Sequence, residues 1–399
     1  MKILFCAPQP FFRIRGTPIN VRNMVTALGE AGHQVDLLCY PYGGNLDIKN
    51  VKIIRTARFP GIRDVKVGPS LAKVPLDTLM LLKAFSLCCR NHYDVIHAVE
   101  ESAFFAVWLK KIFRTKFIYD MDSMISEQLR YTGFTSSRPI LNLAERLESS
   151  AMRNSDFVLT VCDSLTETVK KNAPGTRVVQ IEDAPIQSSF QENHEKSHKL
   201  REELNLGEAL CVVYTGNLEN YQGIDMLVRA AAQTLKVEPS ARFIIVGGEE
   251  KQIEKLRRLT ANLDISNTCI FTGKRPIEEM PAFMTLASVL VSPRIKGVNT
   301  ALKLYTYMQS GKPIVATNLP THTQVLDDTC AILVLPQIDD LATGLLRALR
   351  EPLLISNLGK EARKRVASKY SLPSFKNKVR TAYQSLEEME PVESEPAPG

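Results

Sequence analysis

Apolar runs of strand length alternate with amphipathic segments of helical length along almost the whole chain, and the alternation occurs twice, on either side of a polar stretch. Strands linked through helices pair in parallel, and a parallel sheet needs helices over both faces. Residues 2–7 predict the first strand, 21–31 a helix stopped by Gly32, and 35–40 a second strand. A helix over 76–89, a strand at 94–98, a helix at 103–113 and strands at 116–119 and 157–161 continue the first series. The second series has strands at 209–214, 242–246, 268–272, 289–292 and 313–316, with helices from about Gly223, over 253–263 and over 300–310. The fold class expected is α/β, as two Rossmann-like parallel-sheet domains with a cleft between them. A chain of 399 residues is long for one core and comfortable for two. The division expected is a first domain over 1–186, a polar linker over 187–207, a second domain over 208–368 and a disordered tail rich in Glu and Pro over 387–399.

Composition excludes several classes. With 44% hydrophobic and 23% charged residues the chain has the balance of a globular protein. Its most apolar stretch, 74–89, is interrupted by Asp77 and Lys83 and falls short of the roughly 20 residues a membrane span needs, so it predicts a packed helix. Met1 leads straight into a strand-like run without the regions of a signal peptide, which predicts a cytoplasmic protein. Eight cysteines, scattered apart from the pair Cys88 and Cys89, show no C-x-x-C spacing and read as reduced core residues. The net charge of +7 comes without a basic run interleaved with aromatics, so no nucleic-acid partner is expected, and anionic small molecules or lipid headgroups suit it better. Arg55, Arg58, Arg63, Lys66 and Lys73 alternate with Phe59, Ile62, Val65 and Val67. That segment is a candidate peripheral contact with an anionic membrane at its inner face, against the plainer reading of a solvated loop.

Parallel sheets offer ligands the carboxyl ends of their strands, where helix N-termini present free N–H groups to anions. Glycine-bearing loops at those places are the candidates: the one containing Gly16, the run Thr215-Gly216-Asn217-Leu218 with Gln222-Gly223, and Val246-Gly247-Gly248. None is G-x-G-x-x-G, so a nicotinamide fingerprint is missing, and no resident cofactor is expected. One such loop alone is more often a plain turn; their recurrence in both halves carries more weight. The stretch from Ser292 to Thr317 adds a strand, a loop with Arg294 and Lys296, and a helix with Lys303 near its first turn. A lysine there opposes the helix dipole, but suits an anion bound at the same end. The alternative is a solvated surface lysine.

That stretch, with Leu302-Lys303-Leu304-Tyr305-Thr306-Tyr307-Met308-Gln309-Ser310-Gly311-Lys312-Pro313 at its centre, resembles the donor-site motif of the retaining family-4 glycosyltransferases, in the variant Lys-Leu-Phe-Glu-Tyr-Met-Ala-Ser-Gly-Lys-Pro. The resemblance extends to Tyr214-Thr215-Gly216-Asn217-Leu218, Gln222-Gly223-Ile224, Ile245-Val246-Gly247-Gly248 and Phe271-Thr272-Gly273. In the first half it rests on Arg15-Gly16-Thr17-Pro18, Gly32-His33-Gln34-Val35 and Asp94-Val95-Ile96-His97-Ala98. It implies the GT-B arrangement of two facing domains, with a helix near 369–386 crossing back to the first. It also implies sugar transfer, with retention, from a UDP- or GDP-linked donor to a glycan or lipid-linked acceptor. No metal is implied; cations and helix N-termini stabilise the departing diphosphate. Closure of the two domains on the donor is expected.

The site residues implied are Gly16, Gly216, Asn217, Gln222, Gly223, Gly247 and Thr306 for the donor, and Asp122, His97, Arg294 and Lys303 for the chemistry. The pattern departs from the family in three places. Asn217 and Gln222 stand where many relatives place Arg and Lys, a customary acidic pair falls near Val298 and on Thr306, and a customary histidine falls near Asp122. Asp120-Met121-Asp122 also has the spacing of the metal-binding Asp-x-Asp of the other large glycosyltransferase fold, but it lies in the half without the phosphate features. Asp122 reads better as a polar site residue, or as the cap of a helix starting near Ser123. His97 is a cleft candidate or a core histidine; Glu100 and Glu101 could bind acceptor hydroxyls or serve a helix start. Two other readings remain at this level: a nucleotide-sugar epimerase or hydrolase on the same plan, and a non-catalytic relative that binds a glycan or partner.

Overall fold

The computed structural model describes residues 1–12, 16–65, 68–185 and 189–388. Arg13, Ile14 and Arg15, then Lys66 and Val67, Gln187 at the start of the expected linker, and the tail beyond Glu388 lie outside the described residues. The chain divides into two compact units, one of residues 1–182 with 373–399 and the other of residues 183–372.

Unit 1 runs β1 (Lys2–Ala7), α1 (Gly16–Glu30), β2 (Gln34–Cys39), β3 (Val51–Arg55), α2 (Lys73–Arg90), β4 (Val95–Val99), α3 (Ser102–Phe113), β5 (Lys116–Met121), α4 (Ile125–Tyr131), α5 (Arg138–Asn154), β6 (Phe157–Thr160), α6 (Asp163–Asn172) and β7 (Val178–Gln180). Its strands form one parallel sheet in the order β3-β2-β1-β4-β5-β6-β7. β4 is buried in all its residues, as a strand covered on both faces must be. On one face Ile96, Phe117 and Tyr119 pack with Leu76 and Met80 of α2 and Ala106 of α3.

Unit 2 runs α7 (His194–Glu203), β8 (Leu210–Thr215), α8 (Ile224–Val237), β9 (Ala241–Val246), α9 (Glu250–Asn262), β10 (Cys269–Gly273), α10 (Met280–Leu286), β11 (Val289–Ser292), α11 (Lys303–Ser310), β12 (Ile314–Thr317), α12 (Pro320–Thr323), β13 (Ile332–Val334), α13 (Ile338–Arg350) and α14 (Pro352–Lys369). Its parallel sheet has the order β10-β9-β8-β11-β12-β13. The last helix, α15 (Leu372–Glu387), buries Phe375, Val379 and Tyr383 and groups with unit 1 from Pro373 onward. In both sheets the order turns outward from a central pair, β1 with β4 and β8 with β11, which is where doubly wound sheets open to ligands.

Three local expectations are corrected. The stretch read as a linker contains α7, capped by Asn193 accepting from the Lys196 amide and braced by Lys199 on Glu195 one turn away. It turns only Ser197 and Leu200 inward, too little for a visible apolar period. Helix α11 begins at Lys303 rather than Thr300, because the Asn299 carbonyl that an earlier start would use is held by the side chains of Arg294 and Thr321. Helix α1 starts at Gly16, with Pro18 in its first turn where no N–H partner is needed.

The short helix α4 depends on a buried carboxylate. Glu148 of α5, 1% exposed, accepts hydrogen bonds from the amides of Ile125 and Ser126 and from the Ser126 hydroxyl, so it satisfies free donors at the α4 N-terminus. Replacing it with Ala strands those donors in the interior. Glu148→Ala should cost about 2–4 kcal/mol of unfolding free energy, and Glu148→Gln, which keeps one acceptor, about half as much. Denaturant unfolding of the three proteins measures the series; equal stabilities would disprove the cap.

Candidate active site

The loops after β8, β9 and β11 meet backbone to backbone. A Cβ on Gly247 would lie 2.0 Å from the Gly216 carbonyl oxygen, and one on Gly223 would lie 2.0 Å from that of Pro293. With φ of +119° and +71°, both positions need glycine for conformation as well as for space. The Tyr214 hydroxyl donates to the Asn217 carbonyl at 2.6 Å, while the Thr215 amide donates to the Tyr307 hydroxyl at 2.9 Å. The first of these bonds fixes the Gly216 turn, and the second ties the end of β8 to α11.

Lys303 opens α11 beneath this junction. Its ammonium donates to Gln222 Oε1 at 3.2 Å and sits 3.8 Å from the centre of the Tyr214 ring, and a Cβ on Gly216 would be 3.0 Å from it. Gln222 is 2% exposed and Tyr214 fully buried, so the charge is held among groups that exclude water. Burial, and after it the nearby Arg294 guanidinium, hold the Lys303 pKa well below the usual lysine range. Among the described residues no carboxylate offsets that shift. An amide oxygen and a ring face are the partial compensation this cation has.

Arg294 leaves β11 with its side chain 8% exposed, donating to Thr321 Oγ1 at 2.6 Å and to the Asn299 carbonyl at 3.2 Å. His322, fully buried, connects this region to the strands: one ring nitrogen lies 2.9 Å from Ser292 Oγ and the other 2.8 Å from the Thr317 carbonyl. Burial, followed by Arg294, pushes its pKa down to about 3, so it is a neutral hydrogen-bonding strut. The Thr300 hydroxyl is buried just ahead of α11 with no partner among the described residues. His322 was not singled out in the sequence because it does not lie in a glycine loop, and Thr300 because it was read as the first residue of a helix. Asn217 is exposed, its side chain accepting from the Glu219 amide; Lys296 is exposed, and Thr306 is half-buried on α11.

In unit 1 the expected residues separate. His97 is corrected from site to core: it is fully buried, stacked on Phe5 with centroids 4.0 Å apart, and its nitrogens are taken by the Tyr383 hydroxyl at 2.6 Å and by Asp120 at 3.0 Å. Asp120, so engaged, is not available to form a metal pair with Asp122. Asp122 follows β5, is 8% exposed and accepts from Asn20 Nδ2 at 2.7 Å; α4 starts at Ile125, and the amides of Ile125 and Ser126 go to Glu148. Gly16 is the exposed first residue of α1. Glu101 pairs with Lys73, and Glu100 accepts from Ser123 at 2.9 Å, its pKa raised by burial and then by Glu101. In the expected basic segment Arg55 donates to the carbonyls of Tyr40, Tyr42 and Gly44 and Val65 is buried, while Arg58, Phe59 and Arg63 are exposed and Lys66 and Val67 lie outside the described residues.

Comparison with known proteins agrees with this arrangement of units and loops. Two family models match, Glycosyltransferase Family 4 over residues 14–182 and Glycosyl transferases group 1 over residues 209–351. The chain is 23% identical over 253 residues to the alpha-D-kanosaminyltransferase of Streptomyces kanamyceticus, a match spanning 62% of this chain and 64% of that protein. It is 32% identical over 124 residues to a GDP-mannose-dependent phosphatidylinositol monomannoside mannosyltransferase of Mycolicibacterium smegmatis, covering 30% of this chain and 32% of the relative. Among solved structures, sucrose-phosphate synthase from Thermosynechococcus elongatus shares the fold with a TM-score of 0.80 at 19% identity, over 97% of this chain and 99% of that one. Among the described residues no helix is long and apolar enough to cross a membrane. With one family model on each unit and the GT-B architecture throughout, the chain belongs to the group-1, family-4 glycosyltransferases.

Proposed function

We propose that unit 2 binds the diphosphate of a nucleoside diphosphate sugar where Gly216, Gly223, Arg294 and Lys303 meet, and that the sugar passes to a hydroxyl of a glycan or lipid-linked acceptor. The observation that carries this reading is the desolvated Lys303 side chain, with no carboxylate among the described residues to offset its shift. The family resemblance would put phosphate cations at the positions of Asn217 and Gln222; here Gln222 instead holds Lys303 by its amide oxygen. Lys303 stands at the start of α11, where the helix dipole adds to it for an anion. A diphosphate there would restore to Lys303 the countercharge that burial denies it.

In the transfer step the acceptor oxygen bonds to the anomeric carbon while the bond from that carbon to the β-phosphate oxygen breaks. The electron pair leaves with the diphosphate, where Lys303, Arg294 and loop N–H groups stabilise the charge that develops. Retention places the incoming oxygen on the face the phosphate leaves, so the acceptor proton can pass to the departing phosphate oxygen. Asp122, next to the end of β5, is our candidate for orienting the acceptor. The donor of the mycobacterial relative, GDP-mannose by its name, supports a nucleoside diphosphate sugar as the class. Membership of a transferase family favours transfer over epimerisation, hydrolysis or plain binding.

Lys303→Ala and Arg294→Ala should each lower donor turnover about 10–100-fold, one charged hydrogen bond's worth, while Lys296→Ala changes little. Steady-state kinetics with UDP-, GDP- and ADP-sugars reads this, and full activity in both variants would place the donor elsewhere. Because a bound diphosphate raises the depressed Lys303 pKa, binding takes up a proton. Nucleotide affinity should therefore fall as pH rises through the depressed value toward the ordinary lysine value of about 10.4, and calorimetry should find that slope flattened in Lys303→Ala. Without ligand, Lys303→Met should stabilise the protein by about 1 kcal/mol while weakening donor binding about 10–100-fold. Activity should also survive EDTA, since cationic side chains take the role of a metal; turnover lost in chelator and restored by manganese would reject that assignment.

A further inference from the structure

Helices α8 and α9 pack against each other in unit 2, and a cavity of about 340 Å³ lies between them. The α9 residues that line it follow one stripe. Lys251, Lys255, Arg258 and Asn262 stand at positions i, i+4, i+7 and i+11, which is a single face of a helix with 3.6 residues per turn. Helix α8 contributes Asp225 and, one turn on, Arg229. The cavity runs from the first turn of both helices to the last residue of α9, and it shares no lining residue with the Gly216, Gly223, Arg294 and Lys303 junction.

Like charges one turn apart on a helix repel, so the stripe is unfavourable for α9 by itself. Pairing relieves it at one point, where Lys255 meets Asp225 of α8 at 3.0 Å. Among the described residues Arg229, Lys251 and Arg258 have no ion pair, although Glu254 lies three residues after Lys251 and four before Arg258, spacings at which helix pairs form. Arg257 and Glu250, which do not line the cavity, do pair, at 2.7 Å. Both helices return between parallel strands and so run the same way. From the contact of Asp225 with Lys255, one turn along each helix brings Arg229 and Arg258 to the same level of the cavity, two guanidinium groups without a counter-ion. Four cations against the carboxylates of Asp225 and Glu254 leave the cavity with a net charge of +2. A phosphomonoester carries about −1.5 to −2 at neutral pH, and guanidinium groups hold its oxygens in a fork. We propose that this cavity binds a small phosphomonoester of about the size of a hexose phosphate, with the phosphate between Arg229 and Arg258 and the hydroxyls toward Glu254 and Asn262. The proposal holds whichever donor unit 2 takes, because the two places share no residue.

Glucose 6-phosphate serves as the probe, with glucose and inorganic phosphate as its two halves. Calorimetric titration of the full chain at about 0.15 M salt, where attraction between exposed charges is screened beyond about 8 Å, should find one saturable site for glucose 6-phosphate. Inorganic phosphate should bind there more weakly, and glucose not at all. Arg229→Ser with Arg258→Ser should weaken the binding about tenfold, two charged contacts at an exposed site. Both arginines are exposed, so circular dichroism and melting should be unchanged in that protein. Lys303→Ala should leave the affinity as it is. Three results would overturn the proposal: no saturable binding of glucose 6-phosphate; an affinity that the paired arginine substitutions leave unchanged; or one that Lys303→Ala removes, which would put the phosphate at the start of α11 instead.

Discussion

A lysine ammonium enclosed by an amide oxygen, a tyrosine ring and a neighbouring arginine is a costly state for a folded domain, and the ligand edge of unit 2 is arranged around it. Lys303 reaches its place because α11 starts there, and α11 starts there because Arg294 and Thr321 hold the Asn299 carbonyl. Arg294 in turn is set by the end of β11, whose Ser292 is hydrogen-bonded to the neutral His322. The close loop contacts at Gly223 and Gly247 then bring the β8 and β9 turns to the same charge. Stability is given up at one point, where a buried lysine has only an amide oxygen and a ring face as partners.

How much of this was legible in the sequence depends on how local each interaction is. Strands such as β4 and β8 stood out because a strand buried on both faces is a continuous apolar run. The edge strand β3, with no residue fully buried, carried no such signal and was missed. Lys303 and Arg294 were legible because their motif is contiguous. Gly216, Gly223 and Gly247 were legible as loop glycines, although the contacts that demand glycine are with distant backbone. His322 was not, since its role appears only once α12 returns it to Ser292, 30 residues earlier. His97 was read as a site residue because its partner Tyr383 is 286 positions away and nothing near it marks it as satisfied.

The two halves divide their charges differently. At the ligand edge of unit 2 the cations are few, desolvated and gathered at one strand end. On the helical face of unit 1 Lys83, Arg90, Lys111, Arg138 and Arg146 are exposed, while Glu148 is buried and Glu145 pairs with Arg130 at the surface.

The pairing of His97 with Tyr383 also orders events during synthesis. Unit 1 is discontinuous: its sheet leaves the ribosome first, but the helix that fills one face of that sheet and satisfies the His97 imidazole comes after the whole of unit 2. Until then the nascent sheet carries a buried histidine with one nitrogen unmatched and an uncovered apolar surface around Phe5. Unit 1 is thus completed only by a helix that follows unit 2 in the chain, and its segments must be brought together across the whole length of unit 2.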